Sequence, residues 1–504
     1  MLLSVPSEIQ SKIAFEADHL TRGRLRRTCK LLNDVATPIV FGAVYIDLSW
    51  TQHSSSSLVF LQSLISGQKL ARCIRRLTLF LPDRSKRNPS RFTTQARIKK
   101  REDRLHSFDT MFLEAIPSMV SMRSLFWRSN VDSGPSYAEL MFERFGGLPL
   151  LSSLKIYSLG EWDIPWYPFR HIRDIKYWGD SDNEILDFLT YNPNIESIYI
   201  YVRSRHGNGS TKRQSILSIF RRWPSRTYST VKTLTLCGGK YSRLCAHEIP
   251  TLVPHLRYLK NLYTGITTSI PDEFWDRLRK EEIHLTSLSH RQRGLERALL
   301  SYLVSFSGLR KLTLGIRGRS TPDDLQVSYL LANAIALHSW SLTKVHIRPS
   351  RSGPWCLDHP MLDALELCLS LQSLHVHADE AGTRVDADNV IDRTLQCVVT
   401  LWPNIQSLVI HAVSQSFGFD ALQATASRIH KRILAFRFVP LPLERRAFLF
   451  SSNFARYSTK VLDEKNGTHV FKVEILKDWG RKDARRILRR KYKFWARHKD
   501  ISDD

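Results

Sequence analysis

Paired cysteines, membrane-length apolar runs and catalytic signatures are what this sequence has least of. Its seven cysteines, Cys29, Cys73, Cys237, Cys245, Cys356, Cys368 and Cys397, are odd in number, far apart and never in CxxC spacing. That excludes a disulfide framework or a zinc knuckle as the basis of the fold and leaves them as small core residues or inert thiols. No uninterrupted apolar run approaches the ~20 residues of a helical membrane span, and MLLSVPSEIQ has neither the basic nor the apolar region of a signal peptide. A cytoplasmic or nuclear location is therefore expected. The phosphate-loop pattern GxxxxGK, the nucleophile elbow GxSxG, the metalloprotease HExxH and the dinucleotide glycine fingerprint are all absent, and CGGK at Cys237 has the wrong length for a phosphate loop. The expectation is a chain that is not an enzyme and carries no cofactor.

Core material, by contrast, is plentiful. Of 504 residues 42% are hydrophobic and 10% aromatic, too apolar for a disordered chain even with 24% charged residues. The length exceeds the ~250–300 residues at which single cores stop growing, so several domains or one repeat structure are expected. The net charge of +26 is unevenly spread: the segments Arg84–Arg104, Arg481–Lys499 and Thr21–Lys30, 50 residues together, carry 21 of the 26 charges. The body between them is nearly balanced. RSKRNPSRFTTQARIKKREDR lacks apolar periodicity and reads as a solvated insertion at about 83–107, with a nuclear-import signal as the other reading. In the tail RKDARRILRRKYKFWARHK, Ala484, Ile487, Leu488, Tyr492 and Trp495 share a helical face ringed by Arg and Lys. Such a helix caps a last repeat, lies on an anionic membrane or contacts phosphates; a cap is favoured, because solenoids need one.

A repeat runs through the body. PNIESIYI from Pro193 and PNIQSLVI from Pro403 are nearly superimposable, and their frame, apolar-x-x-apolar-x-apolar, recurs. It is found at Ile74/Leu77/Leu79, Met122/Leu125/Trp127, Leu151/Leu154/Ile156, Ile172/Ile175/Tyr177, Ile195/Ile198/Ile200 and Val231/Leu234/Leu236. It continues at Leu309/Leu312/Leu314, Leu342/Val345/Ile347, Leu371/Leu374/Val376, Ile405/Leu408/Ile410 and Ile433/Phe436/Phe438, with weaker copies near Leu259 and Ile283. The last two apolar positions alternate with polar ones, as a short strand with one buried face demands. Helix-like segments such as YAELMFERF, RQSILSIFRRW, LERALLSYLVSF, DDLQVSYLLANAIALHSW, DNVIDRTLQCVVTLW and FDALQATASRIHKR separate the frames. The fold class expected is an α/β solenoid of irregular leucine-rich-repeat type, with parallel strands along its concave face. A doubly wound α/β domain is the competing architecture.

The first 46 residues stand apart as three short helices with little room for a private core. Pro6 suits a first helical turn, Glu8 the positive end of the helix dipole, and Ile9, Ile13 and Ala17 fall on one face. Leu25, Cys29 and Leu32 mark a second helical stretch, and Val35, Ile39 and Val40 a third before Phe41. SVPSEIQSKIAFEADHLTRGRLRRTCKLLNDVATPIVFGAVYI resembles an F-box at Val5, Pro6, Glu8, Ile9, Ile13, Leu25, Cys29, Lys30, Val35, Pro38 and Phe41. It departs from that pattern in Val5 for the commoner Leu, in a compact basic linker, and in Leu32 where many members have Trp. An F-box ahead of irregular leucine-rich repeats is similar to the F-box/LRR-like proteins numerous in mushroom-forming fungi. The resemblance implies docking of residues 1–46 on a Skp-type adaptor, and through it a cullin, in an SCF-type cullin-RING E3 ubiquitin ligase. The solenoid, 47–440, would hold the protein substrate ahead of a C-terminal cap region, 441–504. Without the resemblance, the helices are a capping bundle.

Residues that alternate with the buried frame positions point into the concave face: Phe126, Arg128, Lys155, Tyr157, Lys176, Trp178, Tyr199, Tyr201, His346, Arg348, His375, His377, His411 and Arg437. None is Asp or Glu. Such a surface suits an acidic or phosphorylated partner segment, although strands deplete Asp and Glu in any case. His375 and His377, at i and i+2, have metal-ligand spacing but no third ligand nearby in sequence, and no metal site is expected. Two function classes follow: a ubiquitin-ligase substrate receptor, or a solenoid scaffold binding nucleic acid or anionic surfaces through the basic insertion and tail.

Overall fold

The computed structural model describes residues 5–47, 55–66, 68–81, 107, 109–129, 138–158, 164–179, 184–202, 229–238, 246–265, 270–292, 296–316, 324–383, 389–414, 419–438, 449–452, 455–463 and 468–476. The basic insertion 84–104, the segment RQSILSIFRRW, Cys245 and the tail 481–499 lie outside them. The chain divides into two compact units, Met1–Ile283 and His284–Asp504.

The first unit opens with three helices, α1 (Ser7–Glu16), α2 (His19–Thr28) and α3 (Lys30–Val40). Pro6 stands at the N-cap of α1, where its carbonyl accepts from the Ile9 and Gln10 N–H groups. Asp18 caps α2: its carboxylate accepts from the Thr21 N–H at 2.9 Å and the Thr21 hydroxyl at 2.8 Å, and the backbone bond holds the carboxyl below its ordinary pKa. Arg22 ties α2 to α1 by donating to the Ala14 and Phe15 carbonyls, and the Arg26 guanidinium lies 4.6 Å from the Phe41 ring centroid. The spacing of Ile9, Ile13 and Ala17 makes that face the expected packing face, but Ile9 and Ile13 are exposed. The buried positions are instead Gln10 and Ala14 of α1 with Leu32, Ala36 and Thr37 of α3. Gln10 is tolerated there because its Nε2 donates to the Val5 carbonyl at 2.7 Å.

After α3 the chain enters a parallel ladder in strict sequence order: β1 (Ala43–Asp47), β2 (Arg76–Leu81), β3 (Ser124–Ser129), β4 (Ser153–Ser158), β5 (Asp174–Gly179), β6 (Ser197–Val202), β7 (Thr233–Gly238) and β8 (Asn261–Thr264). Register is constant, so every frame stacks on the next: Leu77, Leu125, Leu154, Ile175, Ile198, Leu234 and Leu262 form one buried row. Leu79, Trp127, Ile156, Tyr177, Ile200 and Leu236 form a second. Helices pack on this side; Trp127 sits 4.5 Å from Phe142 of the helix Ala138–Gly146, and Trp166 packs edge-on against Tyr177 and Phe188. Between repeats the main chain is stitched regularly. The carbonyls of Gly42, Arg75, Arg123, Ser152, Arg173, Glu196 and Lys232 each accept two successive N–H groups from the next repeat.

The second unit continues the pattern with β9 (Ser287–Gln292), β10 (Lys311–Ile316), β11 (Lys344–Pro349), β12 (Ser373–Ala378) and β13 (Ser407–Ala412), again parallel and in register. Four of the helices expected from the sequence, Arg297–Leu303, Asp324–Leu337, Val390–Thr400 and Phe419–Ala435, lie in this unit. The two weak frames are real strands. Each carries a polar residue at its third position, Thr264 in β8 and His290 in β9, and the second begins at Leu285 rather than Ile283. The last expected frame differs. Ile433 belongs to the helix Phe419–Ala435, and β14 (Arg437–Phe438) pairs antiparallel with β17 (Thr468–Leu476) rather than extending the parallel ladder. The ladder is extended by β15 (Leu449–Ser452), parallel to β13, then by antiparallel β16 (Ala455–Asp463) and β17. The C-terminal region therefore contains three strands not foreseen, with Tyr457 and Phe471 buried.

One polar device recurs. The N–H that opens a frame needs a partner, and the following repeat supplies a side chain. Asn192 Oδ1 accepts from Ile172 N–H at 2.8 Å, Tyr302 Oη from Leu285 N–H at 3.3 Å, and His338 Nδ1 from Leu309 N–H at 3.4 Å. His290 and His338 are buried, and burial pushes both imidazoles down to about 4. Because the folded state holds them neutral, stability falls as pH drops below the unfolded value and the unfolded chain takes up protons. His290→Leu, matching Leu314 across the ladder, should therefore remove the part of this pH dependence that His290 contributes. Its stability relative to the parent chain in denaturant titrations should rise by up to about 1.4 kcal/mol per pH unit between ~6.5 and about 4, where His290 itself charges.

Candidate functional site

Alternation along each strand leaves one row of the sheet under the helices and turns the other outward. In the first unit the outer residues of β3–β6 are Phe126, Arg128, Lys155, Tyr157, Lys176, Trp178, Tyr199 and Tyr201, and all are exposed or half-buried. Register places them in two lines, Phe126–Lys155–Lys176–Tyr199 and Arg128–Tyr157–Trp178–Tyr201. The rings touch across strands: Tyr157 and Trp178 centroids lie 6.4 Å apart, and Trp178 and Tyr199 lie 4.7 Å apart. Arg128 caps the stack, its guanidinium 5.2 Å from Phe80 and 5.3 Å from Tyr157. Burial raises the Tyr199 phenol, so it stays a neutral donor. The face offers flat aromatic surface with Lys155 and Lys176 set between the rings. Phe80, Tyr45 and Tyr263 extend the same outer rows beyond the residues singled out from sequence.

In the second unit the outer residues are of another kind. His346 of β11 is paired with His375 of β12, and His377 of β12 with His411 of β13. Three imidazoles thereby collect around His375, with centroid distances of 5.5 Å to His346, 5.5 Å to His377 and 4.8 Å to His411. Arg348, two residues after His346 on the same face, contacts His346 Nδ1 through its terminal nitrogen at 3.3 Å, and Ser373 Oγ lies 2.9 Å from His346 Nε2. Burial first, then Lys344 and Arg348, lowers His346 to about 4; burial first, then His411, Arg348, His346 and Lys344, lowers His375 to about 2. Gly315 of β10 clears the way for one more cation: a side chain there would meet Arg291 Cγ at 2.9 Å, so Arg291 of β9 leans across it, and its charge helps lower the Arg348 guanidinium. Among the described residues no three His, Cys, Asp or Glu are arranged to hold a metal ion. Arg437 is exposed but lies on β14, away from this histidine register.

The three-helix module presents a third surface. Of the residues matched to the F-box pattern, Pro6, Glu8, Ile9, Ile13 and Lys30 are exposed, while Val5, Leu25, Cys29, Val35, Pro38 and Phe41 are half-buried. Phe41 faces inward, stacked on Phe60 at 6.0 Å. Phe15 and Leu20, which the sequence comparison passed over, are 64% and 72% exposed and lie with Ile9, Ile13 and Leu31 on the helices. These five exposed apolar side chains all fall within the three helices.

Neither a family model nor a curated protein matches the chain. Among the described residues no helix is long and apolar enough to cross a membrane. Burial raises the Cys356 thiol, and raises Cys368 and Cys397 to about 12, which makes these three poor nucleophiles.

Inner and outer rows make a sharp contrast. Ile175→Ala, fully buried, should cost about 2–5 kcal/mol of unfolding free energy, whereas Lys176→Glu, its outward neighbour, should change it by no more than about 0.5 kcal/mol; chemical denaturation of the two variants measures both.

Proposed function

We propose that the chain is the substrate-recognition subunit of an SCF-type cullin-RING E3 ubiquitin ligase, working in the cytoplasm or nucleus. Its N-terminal helices would dock on a Skp-type adaptor, and the outer rows of the ladder would hold a protein substrate. The observation that carries the reading is the pairing of a three-helix module having exposed Ile9, Ile13, Phe15, Leu20 and Leu31 with a repeat ladder whose open face is aromatic and basic. The resemblance of residues 1–46 to an F-box gives that module its partner. In this role the chain itself performs no chemistry: it supplies two surfaces and the rigid spacing within each unit, which is all that ubiquitin transfer to a bound protein asks of a receptor. The outer rows fit such a task because aromatic faces provide large contact area at low conformational cost, and Arg and Lys between them select acidic segments. A second reading, a scaffold for nucleic acid or anionic surfaces, draws on the charge concentrated in 84–104 and 481–499. It requires affinity that falls steeply with salt.

Co-purification of the full chain with a Skp-type adaptor tests the proposal, with an Ile9→Asp/Ile13→Asp variant beside it. Both residues are exposed, so the variant should fold as the parent does while capturing adaptor at least about 30-fold more weakly, the equivalent of ~2 kcal/mol at an interface anchor. Absence of adaptor capture by the parent chain, together with salt-sensitive retention on nucleic acid, would replace the receptor reading with the scaffold.

A further inference from the structure

The histidine cluster of the second unit is more than a basic patch, because its members are placed where they cannot all be charged alone. His346, His375, His377 and His411 lie within 5.5 Å of a neighbouring ring. The charged groups that face them are basic on every strand: Lys344 and Arg348 of β11, Arg291 of β9 reaching past Gly315, and the imidazoles of β12 and β13. The carboxylate next in sequence, Asp379, is turned to Ser352 Oγ at 2.8 Å and the Gly382 N–H at 3.0 Å. Its charge does not appear among those acting on His346 or His375. His375 Nε2 and Arg348 Nε are desolvated and without a hydrogen-bond partner. A site so arranged sets a guanidinium beside four neighbouring imidazoles, of which His346 and His375 are disfavoured from charging until a counter-charge arrives.

We infer that His346, Arg348, His375, His377 and His411 form a proton-coupled docking site for a phosphoryl group carried by a partner protein. A phosphoryl group fits better than a single carboxylate because it brings about two negative charges and three acceptor oxygens, matching a guanidinium fork flanked by imidazoles. Docking reverses the local field. His346 and His375, held neutral in the free chain by burial and neighbouring cations, take up protons in the complex, so affinity rises as pH falls. For each proton taken up, the dissociation constant tightens by up to about tenfold per pH unit between the free and bound pKa values. The inference rests on the open face of the second unit being a binding surface, as proposed above, but not on the adaptor contact.

The test uses the full chain labelled with 15N-histidine, titrated with O-phosphoserine near pH 6, 7 and 8. The expected result is a perturbed set of imidazole resonances and a dissociation constant that tightens about tenfold or more from pH 8 to pH 6. The parent response should be lost in Arg348→Gln and in His375→Gln/His377→Gln. Arg348→Lys, which keeps the charge and the fold but not the fork, should weaken binding while preserving its pH dependence. No perturbation at any pH, a pH-independent constant, or unchanged affinity in the histidine variant would overturn the inference. A single-stranded oligothymidylate that perturbs the same resonances more strongly than O-phosphoserine, with steep salt dependence, would overturn the protein source of the phosphoryl group. Adaptor capture is measured on the same samples. Capture retained without phosphoserine binding sinks only this inference, and phosphoserine binding without capture sinks only the ligase reading.

Discussion

A six-residue frame cannot bury its own apolar face, and nearly everything else in the molecule follows from that shortage. Leu154 and Ile156 of one strand contribute two side chains to the core; only when Leu125 and Trp127 lie on one side and Ile175 and Tyr177 on the other does a closed apolar layer exist. The same dependence fixes register. A slip by one residue would carry Lys155 and Tyr157 under the helices and put the buried row in water, so the ladder has one register and the outer rows inherit its order. The outer faces are a by-product of core packing in this sense: the order of the aromatic stack from Tyr157 to Tyr199 and of the imidazole group around His375 is set by the register of the buried rows.

Polar groups inside this layer are handled by substitution of chemistry at a fixed place. The amide that opens a frame is satisfied by Asn192 in one repeat, Tyr302 in another and His338 in a third. Three unrelated side chains perform one task because the geometry requires only an acceptor at the end of the following helical segment. Irregular spacing is the visible result, since each solution reaches across a different length of chain. Where the buried row itself takes a polar residue, as at His290, burial lowers the imidazole pKa and makes stability fall as the pH drops below the unfolded value.

Most of the ladder was readable from the chain because its period is carried by apolar residues in a rigid frame, and ten of the eleven clear frames are strands at the positions that the pattern requires. The failures have physical causes. The frame at Ile433 matches in letters but straddles a helix end, where periods of 3.6 and 2 overlap for a few residues. The strands after Phe438 carry no such frame. Their signal was the plain alternation of Thr468–Leu476 and Ala455–Asp463, two-residue periodicity over nine residues each, which a search for the six-residue frame passes over. On the helical module the spacing of Ile9 and Ile13 identified a real apolar face but not its partner. Burial went to Gln10 and Ala14, one position along, because small Ala14 and Ala36 allow the helices to approach. The outer rows were legible strand by strand, whereas the meeting of His377 with His411 depends on register between segments about thirty residues apart.

The closing antiparallel strands have a meaning beyond stability. A parallel ladder is a template at each open edge: its last strand displays unpaired amides and carbonyls to which another copy of the same frame would add as readily as the next repeat did. In the second unit β15 to β17 turn the chain back on itself, and the final pairing partner is the two-residue β14. So short an edge gives an incoming strand almost nothing to zip onto. Among the described residues, the antiparallel turn-back thus replaces the long parallel edge of this unit by one that offers few free amides and carbonyls to a further copy of the frame.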